Sequence, residues 1–400
     1  MTKGEEHLHK KVDAVVVGAG PSGSCAAAEI AKAGLKVLMI EKDEYPGKNN
    51  VCGGALARKF FRDLGLDYSV VDKRIFGRIL FFPWGAVDRR SADFDSVSFQ
   101  RSRFDYHLAR SAIGVGARLA TSSAVFRVAL RADCVQAFFR RIGTGNVASV
   151  NADLVIFADG PASLARRQFG LGLPRALDRM ALGMIYELEW RNNPVEHFEF
   201  YFGRDIVSYG YGWIFPKKHV MNVGVACLLS KLERNVRSCL DYFAWKHPIA
   251  SRRLVGRRIV RSAAALIPLA PARRIVQERV MLVGDAAGLV DPLWGGGIAY
   301  AIQSGRIAGQ TAVRAIEQED FSTGFLKRYE RDWRRSEDGR ALSRVYALSR
   351  MALGLSSIDP DAYIRLQRGL VGISSSKAFG IVRKIMKSLS TVPQSIDRLH

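Results

Sequence analysis

The strongest constraint on this chain is a glycine pattern set between a strand and a helix close to its start. Val12–Val17 is a short, apolar, β-branched run, the composition of a buried parallel strand. Gly18-Ala-Gly20-Pro-Ser-Gly23 follows at once, and the alanine-rich stretch Ser24–Ala33 reads as a helix ending at Gly34. A second strand, Lys36–Ile40, ends in Glu41. The whole is one βαβ unit, and each glycine has a physical task. Gly18 permits the tight turn, Gly20 lets a phosphate approach the backbone, and Gly23 lets the helix pack close to the strand. The helix start offers free N–H groups and partial positive charge to a pyrophosphate. Glu41 is placed to accept hydrogen bonds from ribose hydroxyls. The pattern predicts a dinucleotide site.

At 400 residues the chain has room for two or three domains, or for one large fold with an insertion. Residues 42–58 form a polar, glycine-containing loop, and 75–99 read as strands and turns. A helix is expected over Arg103–Val115 and a β-meander over 118–157, ending in the apolar strand Leu154–Phe157 and Asp159-Gly160. Residues 180–229 are strand-like and aromatic. Gln277–Val283 is one more buried strand, followed by Gly284-Asp285, and a long helix starts near Gly297. Residues 321–400 are read as mostly helical and basic.

Composition speaks to partners. Lys and Arg total 60 against 38 Asp and Glu, a net charge of +22. Such a balance suits an anionic membrane surface, an acidic protein or a phosphorylated substrate. No nucleic-acid recognition module is visible, so no specific nucleic-acid partner is expected. The five cysteines, Cys25, Cys52, Cys134, Cys227 and Cys239, have no metal spacing, so no metal site is expected and free thiols in a reducing, cytoplasmic compartment are. No stretch is long and apolar enough to span a membrane. Peripheral attachment stays open.

A plain nicotinamide dehydrogenase does not need the two distant elements Asp159-Gly160 and Gly284-Asp285. GAGPSG, ADGPAS and VGDAAGLVDPLWGGGI, in that order, resemble the three cofactor motifs of the glutathione-reductase-like and hydroxylase-like FAD-dependent oxidoreductases. That resemblance implies FAD as cofactor. It also implies an α/β fold: a Rossmann-type FAD-binding domain (11–75, 100–175 and 276–320), an inserted antiparallel-sheet substrate domain (76–99 and 176–275) and a helical C-terminal region (321–400). Arg101 would contact the FAD phosphates or ribityl chain. Asp159 would support its loop, and Asp285 would accept from a ribityl hydroxyl. Gly295, Gly296 and Gly297, at a helix start, would let the isoalloxazine edge approach their N–H groups.

Two further segments, Lys48-Asn-Asn-Val51-Cys52-Gly53-Gly54 and Tyr211-Gly-Trp213-Ile-Phe215-Pro216-Lys217, resemble the geranylgeranyl reductase family. Members of that family saturate prenyl double bonds on lipids, quinone tails or prenyl diphosphates. Strand alternation puts Tyr211, Trp213 and Phe215 on one face, where they would line an apolar tunnel or form the core side of a sheet. The resemblance places Cys52 near the flavin, as proton donor or as a thiol in contact with it. Lys48 and nearby helix ends would favour its thiolate. Electrons would come from an acidic carrier or from NADPH, since a second dinucleotide fingerprint is missing. The rival readings are a flavin monooxygenase or halogenase, a quinone-linked electron-transfer oxidoreductase, and a flavin-binding membrane-surface protein without turnover. Within the last region, Lys377–Lys387 has an apolar helical face with basic flanks, a candidate membrane contact.

Overall fold

The computed structural model describes residues 5–7, 11–172 and 177–356, with 361, 364, 365, 367 and 368. The stretch Lys377–Lys387 lies outside the described residues.

The first βαβ unit forms as its sequence requires. Strand Val12–Val17 is almost wholly buried, and it pairs in parallel with Val37–Ile40 on one side and with the long strand Val147–Phe157 on the other. Val37–Ile40 pairs in turn with Arg118–Ala120. The strand Val147–Phe157 joins two regimes. Its first half pairs antiparallel with Val135–Arg141, which pairs in turn with Ser123–Leu130, while Val155–Phe157 pairs in parallel with Val280–Leu282. Helix Pro21–Lys32 starts with proline at its first position, where the missing N–H costs nothing. It packs on the 20-residue helix Ile298–Glu317. A Cβ on Gly305 would lie 2.2 Å from the Ser22 carbonyl, and one on Gly309 2.6 Å from that of Ala26, so the close crossing depends on both glycines.

A second, seven-stranded sheet runs in the order Ile259–Pro268, Met180–Glu189, Val220–Leu228, Val207–Pro216, Phe198–Gly203, Gly77–Phe82, Gly85–Arg90. All its pairs are antiparallel except Phe198–Gly203 with Gly77–Phe82. One face of this sheet packs on helices Val236–Trp245 and Ala250–Leu254. The other carries Leu80, Ile185, Phe198, Phe200, Phe202, Trp213 and Phe215. Three short strands, Ala55–Ala57, Lys73–Ile75 and Ser96–Ser98, make a third sheet.

The expected fold class, mixed α/β with a parallel-strand Rossmann-like sheet, antiparallel sheets and C-terminal helices, is the one observed. Three elements between residues 230 and 270 were not foreseen: the two helices behind the second sheet and its edge strand Ile259–Pro268. The helix expected from Arg103 begins two residues earlier, at Arg101. Among the described residues no helix is long and apolar enough to cross a membrane.

Candidate functional site

One cavity of about 670 Å³ runs from the glycine turn of the first βαβ unit to the aromatic face of the second sheet. Gly18, Gly20, Glu41, Arg101, Asp285 and Gly295–Gly297 line it, and so do Cys52, Tyr211, Trp213 and Phe215. All twelve candidate residues outside the helix-packing position Gly23 therefore share one space.

The three glycines of the turn have different surroundings. A Cβ on Gly23 would fall 2.0 Å from the Gly18 carbonyl oxygen, and one on Gly18, whose φ is +93°, 2.5 Å from that of Ala158. A Cβ on Gly20 would meet nothing within 4 Å. Gly18 and Gly23 thus serve the backbone, while Gly20 faces open space at the start of helix Pro21–Lys32. Glu41 closes the turn. Its two carboxylate oxygens accept from the N–H groups of Ala19 at 2.8 Å and Asp43 at 3.0 Å. Burial pushes the Glu41 carboxyl up, partly opposed by those two bonds. Each oxygen retains a lone pair for a sugar hydroxyl.

A second helix start faces the same cavity. Gly297 caps helix Ile298–Glu317, and the turn before it is shaped by Asp291, whose Oδ1 accepts from Leu293 N at 2.8 Å and Trp294 N at 3.0 Å. Burial raises Asp291 to about 6, against the pull of those two bonds. Asp285 lies beside this start, with its Oδ1 3.3 Å from where a Gly297 Cβ would be. Burial pushes its carboxyl up, and Arg101 partly offsets that. Two helix N-termini and a glycine turn that a Cβ would fill form a cradle suited to a long, anionic dinucleotide.

Arg101 is held in place. Its Nε and Nη2 donate to the two oxygens of the fully buried Asp105, both at 2.8 Å. Burial works against the Arg101 charge, but Asp105 more than offsets it, with a further contribution from the Cys52 sulfur, so its pKa is raised. The Asn50 amide also donates to Asp105. This corrects the expectation that Lys48 is the cation serving Cys52: the Lys48 ammonium is paired with Glu44 at 2.6 Å, and the charges acting on the Cys52 sulfur are Arg101 and Lys217. Asp159 supports its loop as expected, accepting from Leu164 N at 2.7 Å.

The aromatic wall is built by strand register. Tyr211, Trp213 and Phe215 alternate along Val207–Pro216 and face the cavity together. Trp213 lies opposite Gly224, where a Cβ would sit 2.2 Å from the indole ring. Phe198, Phe200 and Trp294 complete the wall, with Phe198 and Phe215 ring centres 4.4 Å apart. Ile364 is buried in the same cluster, and Gln367 Nε2 donates to the Leu293 carbonyl at 3.4 Å, so part of the C-terminal region backs this wall.

Four contributors were not singled out from the sequence. Asn222 carries no motif of its own, and Asp291 and Trp294 sit inside one already recognised. Lys217 stood only as the end of the aromatic segment. A lysine closing an otherwise apolar strand, with no acidic residue near it in sequence, was the available signal.

The fold and this cradle define an FAD-dependent oxidoreductase, and the sequence matches the FAD binding domain over residues 11–202. It also matches the geranylgeranyl reductase catalytic domain over residues 182–266. A digeranylgeranylglycerophospholipid reductase from Methanothrix thermoacetophila is 32% identical over 359 residues, 87% of this chain and 89% of the relative. A second such reductase, from Methanothermobacter thermautotrophicus, is 32% identical over 364 residues, 90% of this chain and 92% of the relative. Among solved structures, a geranylgeranyl bacteriochlorophyll reductase-like protein from Thermoplasma acidophilum superposes with a TM-score of 0.83 at 27% identity, covering 95% of this chain and 99% of that one. The chain belongs to the geranylgeranyl reductase family of FAD-dependent oxidoreductases. A flavin-dependent brominase, at 21% identity and a TM-score of 0.72 over 95% of this chain and 99% of its own, shares the fold alone.

Proposed function

We propose that this protein saturates isolated carbon–carbon double bonds in an isoprenoid chain of the geranylgeranyl type carried on a lipid. The observation that carries the reading is the continuity of the cavity. The glycine turn at Gly18 and Gly20, the Gly295–Gly297 helix start and the apolar wall of Tyr211, Trp213, Phe215 and Ile185 line one space, and the wall meets the helix start where Tyr211 bonds the Trp294 carbonyl. A prenyl chain offers no hydrogen-bonding handle, so such a wall is what would hold it.

Bound FAD supplies hydride chemistry. The chain's own residues bind and orient. Gly20 gives room for the pyrophosphate, Glu41 holds the ribose, and Asp285 takes a ribityl hydroxyl. Arg101, fixed by Asp105, keeps a positive charge beside the phosphates or ribityl chain. The N–H groups of Gly296 and Gly297 would face the flavin edge, while that of Gly295 is taken by the Asp291 carbonyl at 2.8 Å. Cys52 lines the same cavity and is the residue we assign to proton delivery from its Sγ. An ordinary thiol, with a pKa of about 8.5, is too weak to protonate an unactivated alkene to a free cation. Proton and hydride must therefore arrive together, which requires the sulfur to be held in place.

The same reading divides the chain into a cofactor part (11–75, 100–175, 276–320), a substrate part (76–99, 176–275) and a C-terminal part (321–400). It leaves an acidic carrier or NADPH as electron donor and an anionic membrane surface as the source of substrate. The deciding experiment reduces the flavin anaerobically, adds prenyl lipids and follows reoxidation with mass analysis of the product. Gain of two hydrogens per flavin oxidised is expected. Reoxidation that requires oxygen, or none with any prenyl lipid, overturns the proposal.

A further inference from the structure

The turn that carries Cys52 is gripped from the second sheet. Three successive main-chain carbonyls, those of Cys52, Gly53 and Gly54, accept hydrogen bonds from side chains of that sheet. Asn222 Nδ2 donates to the Cys52 carbonyl at 3.2 Å, and Lys217 Nζ donates to the carbonyls of Gly53 and Gly54, both at 2.5 Å. The third Lys217 bond goes to the Phe99 carbonyl at 3.0 Å. All three ammonium donors are thus used on backbone, and the side chain is 1% exposed.

The grip extends outward. Asn222 Oδ1 accepts from Trp213 Nε1 at 2.8 Å, so the residue that holds the Cys52 carbonyl is itself oriented by the aromatic wall. A Cβ on Gly53 would lie 2.8 Å from the Phe215 ring, and one on Gly54, at φ +58°, 2.1 Å from the Phe99 carbonyl. The turn can approach this closely because it is made of two glycines. With its carbonyls turned to the sheet, its N–H groups point the other way, and Gly54 N donates to Cys52 Sγ at 3.3 Å.

A charge is expensive to bury without reason. Burial lowers the Lys217 ammonium to about 8, opposed by the Cys52 sulfur, Asp72 and Glu187. A purely structural strut could be made from a neutral donor; an ammonium adds three divergent bonds and a positive charge beside the sulfur.

We propose that Lys217 and Asn222 are positioning residues that fix the Cys52 sulfur in the cavity wall by holding the carbonyls of residues 52–54. This assignment rests on the reductase reading for its purpose but not for its test. The test is alkylation by iodoacetamide of the FAD-loaded protein, with Cys52 and Cys134 followed separately by mass spectrometry. Cys134, on the meander away from the cavity, is the internal reference. Lys217→Met and Asn222→Ala are compared with wild type, with folding checked by circular dichroism and bound FAD. Asn222→Ala removes one bond on the turn rather than two and serves if Lys217→Met does not fold.

The ratio of Cys52 to Cys134 rates is expected to fall at least about fivefold in each folded variant, because the sulfur loses its held N–H partner and, in Lys217→Met, the nearby charge. A ratio within about twofold of wild type in a folded variant overturns the proposal, since that is only about 0.4 kcal/mol of barrier. A rise would also overturn it, showing that the clamp merely shields the thiol. Neither outcome depends on turnover. Failure of the reductase reading shows instead as wild-type flavin that prenyl lipids do not reoxidise.

Discussion

The hydroxyl of Tyr211 donates to the main-chain carbonyl of Trp294 across 2.5 Å. Tyr211 belongs to the second sheet and Trp294 to the turn before Gly295, so this bond fastens the apolar wall to the helix start on the cofactor side. Tyr211→Phe keeps the ring and removes the bond. The expected loss is about 1 kcal/mol of unfolding free energy, measured by denaturant titration. FAD content should be unchanged, and reoxidation of reduced flavin by a prenyl lipid should slow. An unaltered rate would reduce the bond to a packing detail.

Gly20 and Gly23 should respond in opposite ways. A Cβ on Gly20 meets nothing in the folded protein, so Gly20→Val should leave the cofactor-free protein folded, at a cost of about 1 kcal/mol for a poor helix N-cap. FAD binding should fall at least about tenfold, because the branched side chain takes the space of the pyrophosphate. Gly23→Ala collides with the Gly18 carbonyl and should destabilise the protein with or without cofactor. Equal behaviour of the two variants would contradict the division of roles. Asp285→Ala should also weaken FAD, by roughly 1.5–3 kcal/mol for a lost charge-assisted bond, read by flavin titration.

Asp291 gives a pH signature. Its folded pKa of about 6 lies above the ordinary carboxyl value of 3.8. A raised carboxyl contributes stability below the unfolded value and loses that contribution as pH rises through the folded one. The window is therefore about pH 4 to 6, and the size is on the order of 3 kcal/mol from a shift of about two units. Asp291→Asn keeps an oxygen for Leu293 N and Trp294 N but cannot ionise. Melting temperatures taken across that window should fall with pH in wild type more steeply than in the variant. Parallel curves would mean that the carboxyl is not held in its neutral form.

Cys52→Ser tests the chemistry directly. The loop is retained by backbone bonds, so fold and FAD should persist. Single-turnover oxidation of reduced flavin by a prenyl lipid should slow at least about tenfold, near 1.4 kcal/mol of barrier. A rate equal to wild type would return Cys52 to a packing role.

The elements legible in the sequence were those whose signal is local. Val12–Val17 with Gly18, Gly20 and Gly23 announces strand, turn and helix within a few residues. Gly297 before an apolar periodic run announces a helix start. Helix Val236–Trp245 carries a local signal of the same kind, with Val236, Cys239, Leu240, Phe243 and Ala244 buried at helical spacing after an Asn235 cap. Lys217 stands out as a lysine closing an apolar strand, but its role was not legible, because its three partners come from residues 53, 54 and 99, more than a hundred positions away. The same holds for the Cys52 cations. Lys48 was chosen for nearness in sequence, whereas Arg101 and Lys217 are near in space. Backbone carbonyls carry no side-chain identity, so a lysine that binds them leaves no matching residue to find.

The net charge of +22 predicts reversible attachment to an anionic bilayer. Each basic residue near such a surface contributes roughly 1 kcal/mol, so a cluster of four holds a protein there without a spanning segment. Lys377, Arg383, Lys384 and Lys387 are such a cluster in sequence, set around Ile381, Val382, Ile385 and Met386. Sedimentation with anionic vesicles should carry the protein down at low salt and release it at high salt, since the attraction is screened within a Debye length. Neutral vesicles should carry down much less. Replacing Arg383, Lys384 and Lys387 with glutamine should weaken the attachment while leaving FAD content unchanged, because these residues lie outside every cofactor motif. Equal binding to neutral and anionic vesicles would place the attraction in apolar contacts instead, and no binding to either would return the positive charge to solubility.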